Sequence, residues 1–311
     1  MGVDDAVEAS NLTKCFGRLV AVDHVSFQVG RGEFFGFLGP NGAGKTTTIR
    51  MLTGVLKPDV GRASIMGYDI QREGLKAKQV MGIVPEMANP YVDLTAWQNL
   101  MFVGELYGVP KKQRRARAED LLSRLGLSGR RNQPVRRLSK GMRRRLLICM
   151  ALLNDPEILF LDEPTAGLDV QSARMVRDML RNLNREGTTV FLTTHNMEEA
   201  NQLCERIAII NHGRIAAIDS PERLRGMIKG LRSVEVSFNK PVDTRSLSEF
   251  PGVNDVRKTG DKVRLYTDIP GELLCHIVDY ARSKGLRIVT LNVLAPSLED
   301  VFVRLTEDHG A

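Results

Sequence analysis

No apolar run in this chain is long enough to cross a bilayer. The longest, Leu146 to Leu153, has eight residues, whereas a helical span needs about 20, so the chain is not expected to span a membrane by itself. The opening Met1-Gly2-Val3-Asp4-Asp5 is acidic and lacks the basic-then-apolar order of a signal peptide. A cytoplasmic location is therefore expected. Cysteine is sparse: Cys15, Cys149, Cys204 and Cys275 lie far apart and form no C-x-x-C pair, which argues against a zinc site and a disulfide framework. They are expected to be small buried apolar residues in a reducing compartment. Gly and Pro number only 28 and 13 among 311 residues, with 42% hydrophobic and 26% charged, which excludes disordered, collagenous and low-complexity classes. That length suits about two domains. The first domain has no tandem repeat.

The net charge of +7 is concentrated rather than spread. Lys111-Lys112-Gln113-Arg114-Arg115, Arg130-Arg131, Arg136-Arg137 and Arg143-Arg144-Arg145 fall in one stretch. Such clusters mark either a nucleic acid or anionic membrane contact or a solvated helical face.

Val25, Phe27 and Val29 alternate with Ser26 and Gln28 in strand fashion. The apolar run Phe34 to Leu38 leads through a glycine-rich turn into a helical stretch from about Lys45, for which Gly54 and Pro58 are the stop signal. Helical patterns dominate from Thr95 to Leu153, and strand patterns return at Ile158 to Leu161 and Thr188 to Thr194. This alternation predicts a mainly parallel α/β sheet. The stretch Arg223 to Arg232 reads as a boundary. Beyond it, alternation at Val234, Val236 and Phe238 and at Val263 and Leu265, helical spacing at Leu274, Ile277, Val278 and Ala281, and a strand from Ile288 to Val293 give a β-α-β-β-α-β order resembling a ferredoxin-like α+β unit. Ser297, followed by Asp300, precedes Leu298, Val301, Phe302 and Leu305 at helical spacing, the pattern of a capped amphipathic helix.

Gly39-Pro40-Asn41-Gly42-Ala43-Gly44-Lys45-Thr46, followed by Thr47, fits G-x-x-x-x-G-K-[ST] between a strand and a helix. The glycines let backbone N–H groups close around phosphates, the helix N-terminus favours their charge, and Lys45 adds a mobile cation. Thr46 is expected to ligate Mg²⁺. Ile158 to Glu163 supplies the partner carboxylates: Asp162 for the metal, and Glu163 to polarise an attacking water.

Leu138-Ser139-Lys140-Gly141-Met142 precedes that strand, Ala166-Gly167-Leu168-Asp169 follows it, and Thr194-His195 ends the next. In this order, residues 8 to 225 resemble the nucleotide-binding subunit of an ATP-binding cassette (ABC) transporter. The resemblance implies a P-loop NTPase fold with a helical subdomain at about 87–155. An ATP-binding domain would occupy 1–225 and an accessory domain 226–311. It implies ATP and Mg²⁺ as ligands and hydrolysis of ATP as the activity. Phe16 takes the place of the adenine-stacking aromatic, with a plain core role as the other reading. His195 resembles the histidine that contacts the γ-phosphate, and Asp169 the aspartate that crosses the dimer interface. Ser139 and Gly141 resemble the signature residues that bind the γ-phosphate held by the other subunit.

The chain departs from the family pattern three times. Lys140 and Met142 replace a Gly and a Gln of the signature, which reads as a mark of exporter-type members. Glu86, in Val84-Pro85-Glu86, stands where a Gln normally touches magnesium and senses the membrane partner; a carboxylate also suits a hard cation. The ending Leu294 to Phe302 resembles the drug-resistance subgroup, whose partners are ABC-2 type permeases; the tail is either a dimerisation element or a packed cap. One phosphate loop and one signature per chain imply a homodimer with two composite sites, bound peripherally to the cytoplasmic face of the membrane through a separate permease. Met87 to Tyr107, with Trp97, Gln98, Asn99 and Leu100, is expected to form part of the groove for that permease's cytoplasmic helix, although Trp97 suits a core role equally. The competing readings are a soluble ABC ATPase acting on nucleic acid or ribosomes and a weakly hydrolysing regulatory module. The absence of tandem cassettes opposes the first, and the presence of Glu163 and His195 the second.

Overall fold

A computed structural model describes residues 5–227 and 232–307. The described chain divides into two compact units, at Asp219/Ser220. The boundary stretch 223–232 and the acidic N-terminus both extend outside the described residues.

In chain order the first unit contains β1 (Asp5–Phe16), β2 (Leu19–Gly30), β3 (Phe34–Leu38), α1 (Lys45–Leu52), β4 (Val60–Ile65), β5 (Tyr68–Asp69), α2 (Gly74–Gln79) and β6 (Met81–Val84). It continues with α3 (Ala96–Leu106), α4 (Lys111–Arg124), α5 (Lys140–Leu152), β7 (Ile158–Asp162), α6 (Val170–Arg185), β8 (Thr189–Thr194), α7 (Met197–Leu203), β9 (Arg206–Asn211) and β10 (Arg214–Asp219). The main sheet has the order β10-β9-β3-β8-β7-β6. It is parallel except for β10, which pairs antiparallel with β9.

β3, β7 and β8 are buried at every position, which is why they read as continuous apolar runs rather than alternating ones. A second, antiparallel sheet, β2-β1-β4-β5, was not apparent from the sequence. β1 interrupts its alternation with several register shifts, so no clean period of two survives. The two sheets meet in a phenylalanine cluster. Phe27 of β2 lies 5.6 Å from Phe35 and 5.9 Å from Phe191, and Phe191 lies 5.4 Å from Phe160. Aromatic rings are large contributors to apolar burial at such a junction, here alongside aliphatic side chains such as Val25, Ile49 and Ile210.

The second unit contains α8 (Pro221–Met227), β11 (Ser233–Phe238), α9 (Thr244–Ser248), β12 (Val253–Thr259), β13 (Lys262–Thr267), α10 (Pro270–Ser283), β14 (Ile288–Leu294) and α11 (Leu298–Glu307). Its sheet runs β12-β13-β11-β14 with every pair antiparallel, the expected β-α-β-β-α-β order. The buried stripe of α10 is Leu273, Ile277 and Ala281, with Leu274 at its margin. At the start of α11, Ser297 Oγ accepts from Asp300 N at 3.1 Å and Asp300 Oδ2 accepts from Ser297 N at 3.0 Å. The reciprocal pair satisfies two helix-end donors.

One expectation needs correcting. Cys149 and Cys204 are buried, but Cys15 and Cys275 are exposed. In the arginine-rich stretch, Arg114 pairs with Glu105 at 3.0 Å and Arg131 lies over the Trp97 ring at 4.4 Å, while Lys111, Lys112, Arg115, Arg130, Arg136 and Arg137 are exposed.

Candidate nucleotide site

Four parallel strands end on the same edge of the main sheet, and each delivers a loop there. β3 leads into Gly39–Gly44, β6 into Pro85-Glu86, β7 into Glu163 and β8 into His195. Crevices outside the carboxyl ends of parallel strands are the usual ligand sites of such sheets. Here the crevice is a pocket of about 510 Å³ lined by Phe16, Pro40, Asn41, Gly42, Gly44, Lys45, Thr46, Thr47, Glu86, Glu163 and His195, together with Leu19 and Ala21.

Gly44 caps α1 with φ 106°, a conformation that strongly favours glycine. A Cβ there would meet the Ala21 carbonyl oxygen at 2.6 Å. Lys45 opens the helix, and its buried Nζ donates to the carbonyls of Gly39 at 2.7 Å and Pro40 at 3.1 Å. Ala43 is buried beneath the loop. The free N–H groups of the α1 start face an anion-favouring end of the helix.

Asp162 is buried beneath Thr46. Its Oδ1 accepts from Thr193 Oγ1 at 2.5 Å and from Thr46 Oγ1 at 3.4 Å. Glu163 follows with φ 49°, a backbone strain of the kind that collects at functional sites. Its Oε2 lies 2.9 Å from His195 Nδ1. Its Oε1 is 3.4 Å from Lys45 Nζ yet accepts no hydrogen bond. A buried carboxylate oxygen without a donor costs stability, and it points to a species that the pocket is built to take. The carboxylate and hydroxyl oxygens of Asp162 and Thr46 form a donor set suited to Mg²⁺, which is usually held by one or two carboxylates plus substrate phosphates. No group of three or more His, Cys, Asp or Glu side chains placed to hold a metal ion occurs among the described residues. Glu86 is exposed on the pocket edge. Phe16 is 51% exposed at the rim, so it is not a core residue.

The signature residues lie elsewhere. Ser139 caps α5, its Oγ accepting from Met142 N at 3.2 Å. Gly141 is buried so closely against Ser172 Oγ that a Cβ would overlap it. Asp169 caps α6, accepting from Ser172 N and Ser172 Oγ at 2.8 Å each. The Ser172 N–H bond chiefly holds its carboxyl below the ordinary range. None of the three lines the pocket.

The segment Met87 to Tyr107 also differs in detail. Leu100 is buried, and the Asn99 side chain is consumed by the Tyr91 and Thr95 backbone, including Tyr91 N at 2.8 Å. The exposed apolar side chains are Met87, Tyr91, Val92, Phe102 and Leu106. Trp97 is half-buried beneath Arg131. Sequence reasoning missed Thr193, Leu19 and Ala21, none of which belongs to a recognisable motif. It also saw Arg144 only as one member of a charge run.

A glycine phosphate loop on a parallel sheet, with two carboxylates at a neighbouring strand end, defines a P-loop nucleoside triphosphatase. A profile of the ABC transporter family matches residues 22–166, and one of the DrrA1-3-like ATP-binding protein C-terminal domain matches 220–306. The linearmycin resistance ATP-binding protein LnrL of Bacillus subtilis is 38% identical over 309 residues, covering 96% of this chain and 98% of that protein. The Nod factor export ATP-binding protein I of Paraburkholderia xenovorans is 39% identical, covering 97% of each. Among solved structures, a nucleotide-free ATP-binding cassette from an ABC transporter matches with TM-score 0.65 and 26% identity over 71% of this chain and 94% of its own. A dimeric cassette in a post-hydrolysis state bound to ADP and Pi matches with TM-score 0.62 and 27% identity over 69% and 98%. The chain belongs to the ABC transporter ATP-binding protein family, whose members hydrolyse ATP. No helix among the described residues is long and apolar enough to cross a membrane.

Proposed function

We propose that this ATPase works as a homodimer, held at the cytoplasmic face of the membrane by a separate ABC-2 type permease, and that it drives export. The observation that carries the reading is the separation of two motif sets. Lys45, Thr46, Glu163 and His195 line one pocket, whereas Ser139, Gly141 and Asp169 stand outside it. A two-fold pair places the signature of each chain over the pocket of the other with one self-complementary surface. The names of the relatives, linearmycin resistance and Nod factor export, support the export direction. The exposed apolar face of Met87, Tyr91, Val92, Phe102 and Leu106 suits a permease contact, since an apolar patch of this kind marks an interaction surface.

Within each site Phe16 stacks on the adenine, and Gly39 to Thr47 wraps the phosphates. Glu163 Oε1 accepts the proton of the attacking water while His195 holds Oε2 and steadies the γ-phosphate. Thr46, Asp162 and Glu86 would hold Mg²⁺, which when bound would offset the charge of the phosphates. Ser139 and Gly141 of the second chain close on the γ-phosphate, with Asp169 at the interface.

Lys45→Ala and Ser139→Ala are each expected to be inactive as homodimers, because each has two broken sites. Mixing them places both lesions in one site and leaves the other whole. ATPase activity recovered on mixing, with subunit exchange verified, is the expected result; none would overturn the composite site. Glu86→Gln should weaken the apparent Mg²⁺ affinity and tighten binding of metal-free ATP, since removing one unit charge changes the two interactions with opposite signs. Titrating ATP with and without Mg²⁺ against both proteins checks this, and identical metal dependence would remove Glu86 from the metal site.

A further inference from the structure

The α5 helix that begins at the signature turn carries Arg144 five residues after Ser139. This side chain is 8% exposed, and all five of its hydrogen bonds go to main-chain carbonyls. Nε donates to Pro164 at 2.9 Å, one terminal nitrogen to Pro85 at 2.7 Å and Glu86 at 3.3 Å, and the other to Asp162 and Glu163 at 2.7 Å each. A single fork thus joins the loop after β6 to the turn after β7. Burial pulls the guanidinium below its usual range, and the neighbouring charges of Asp162, Glu86, Glu163 and Glu199 oppose that. Arginine remains charged in such a setting.

The same end of α5 touches the third loop. Lys140 Nζ lies over Gly167, and Gly141 abuts Ser172 Oγ. The signature turn, the Glu86 loop, the Glu163 turn and the Asp169 loop therefore meet around the start of one helix. A second cavity of about 530 Å³ lies among these segments, with Glu86 and Glu163 in the wall it shares with the nucleotide pocket.

We propose that Arg144 is a positioning residue acting on both composite sites: it sets Glu86 and Glu163 in its own chain's site and, through α5, the signature that the chain lends to its partner. This rests on the two-fold composite site proposed above. The planar fork is what the role requires. A lysine places its three donors on one nitrogen and cannot span carbonyls on two separate loops.

Arg144→Lys is therefore the informative substitution. Its kcat for ATP is expected to fall about 10- to 100-fold, the scale of a misplacement of about 1 Å in a reacting group, with KM within about threefold of the parent. A MgATP-induced rise in melting temperature, compared with the parent's, establishes that the variant folds and binds nucleotide. Arg144→Gln serves as the second variant should the lysine form fail to fold. If both lose nucleotide binding together with turnover, or if the folded variant has parental kcat, the positioning role is refuted.

Two mixtures test its two-sided character. With Lys45→Ala, the heterodimer's remaining site uses the core of the Arg144→Lys chain; with Ser139→Ala, it uses that chain's signature. Neither mixture is expected to recover activity, whereas Lys45→Ala with Ser139→Ala is. Recovery in either Arg144 mixture would confine the residue to one site and overturn the proposal. Failure of the control mixture would instead remove the composite site itself, and the two-sided role with it, while the kcat of Arg144→Lys still decides its hold on Glu163.

Discussion

Glu163→Gln is expected to reduce steady-state ATP hydrolysis at least about 100-fold, the lower end of what a positioned general base supplies and about 2.7 kcal/mol of barrier. The amide keeps the side chain's length and can retain the His195 contact at 2.9 Å, while the ion pair with Lys45 at 3.4 Å is lost. What disappears is the oxygen that is buried without a donor. Nucleotide binding should persist, and an ATP-loaded dimer should accumulate and melt at a higher, ATP-dependent temperature, because a ligand that binds only the folded state stabilises it. Phosphate release and size-exclusion chromatography with Mg²⁺ and ATP read the two halves of this result. A variant that turns over like its parent would remove Glu163 from the chemistry.

Gly44→Ala is expected to abolish nucleotide binding at about 1 mM ATP, the upper end of ordinary KM values, and to cost roughly 2 kcal/mol of stability from backbone strain alone. Two causes add at this position. The φ of 106° disfavours any side chain, and the new methyl meets the Ala21 carbonyl at 2.6 Å, so the loop and β2 must separate. Gly42→Ala isolates the first cause, since Gly42 has φ 82° but no atom within 4 Å of its Cβ position. Its loss of stability and of binding should be visibly smaller. Denaturant unfolding and equilibrium nucleotide binding compare the pair, and equal effects would show that close packing on Ala21 is unimportant.

The parts of the pocket that were legible in the sequence are those whose chemistry forces a local pattern. A phosphate loop needs glycines at fixed offsets, and a strand buried on both faces must be apolar throughout, so Phe34 to Leu38 and Ile158 to Leu161 announce themselves. The antiparallel sheet was hidden because bulges break the alternation of β1. On α10 the helical period was evident, but Val278 is only half-buried and Leu273 is at the core; several apolar positions on one helix leave the exact face open by a fraction of a turn. Arg144 was hidden for a different reason. A buried arginine bonded to carbonyls and a solvated one have the same letter, and in Arg143-Arg144-Arg145 only the fold distinguishes the half-buried first residue from the buried second and third.

The position of β3 bears on how the chain is made. Its five residues pair with β8 and β9, from Val190 and Arg206 onward, so the central strand emerges from the ribosome long before either neighbour exists. At about 5–20 residues per second the intervening stretch of about 150 residues takes roughly 8–30 s to synthesise. During that interval Phe35 and Phe37 have Phe27 of β2 to pack on but not Phe191 of β8, while β1, β2 and β4 can already pair among themselves. The phosphate loop, anchored at the end of β3, thus gains its full sheet context only once β8 and β9 have been made.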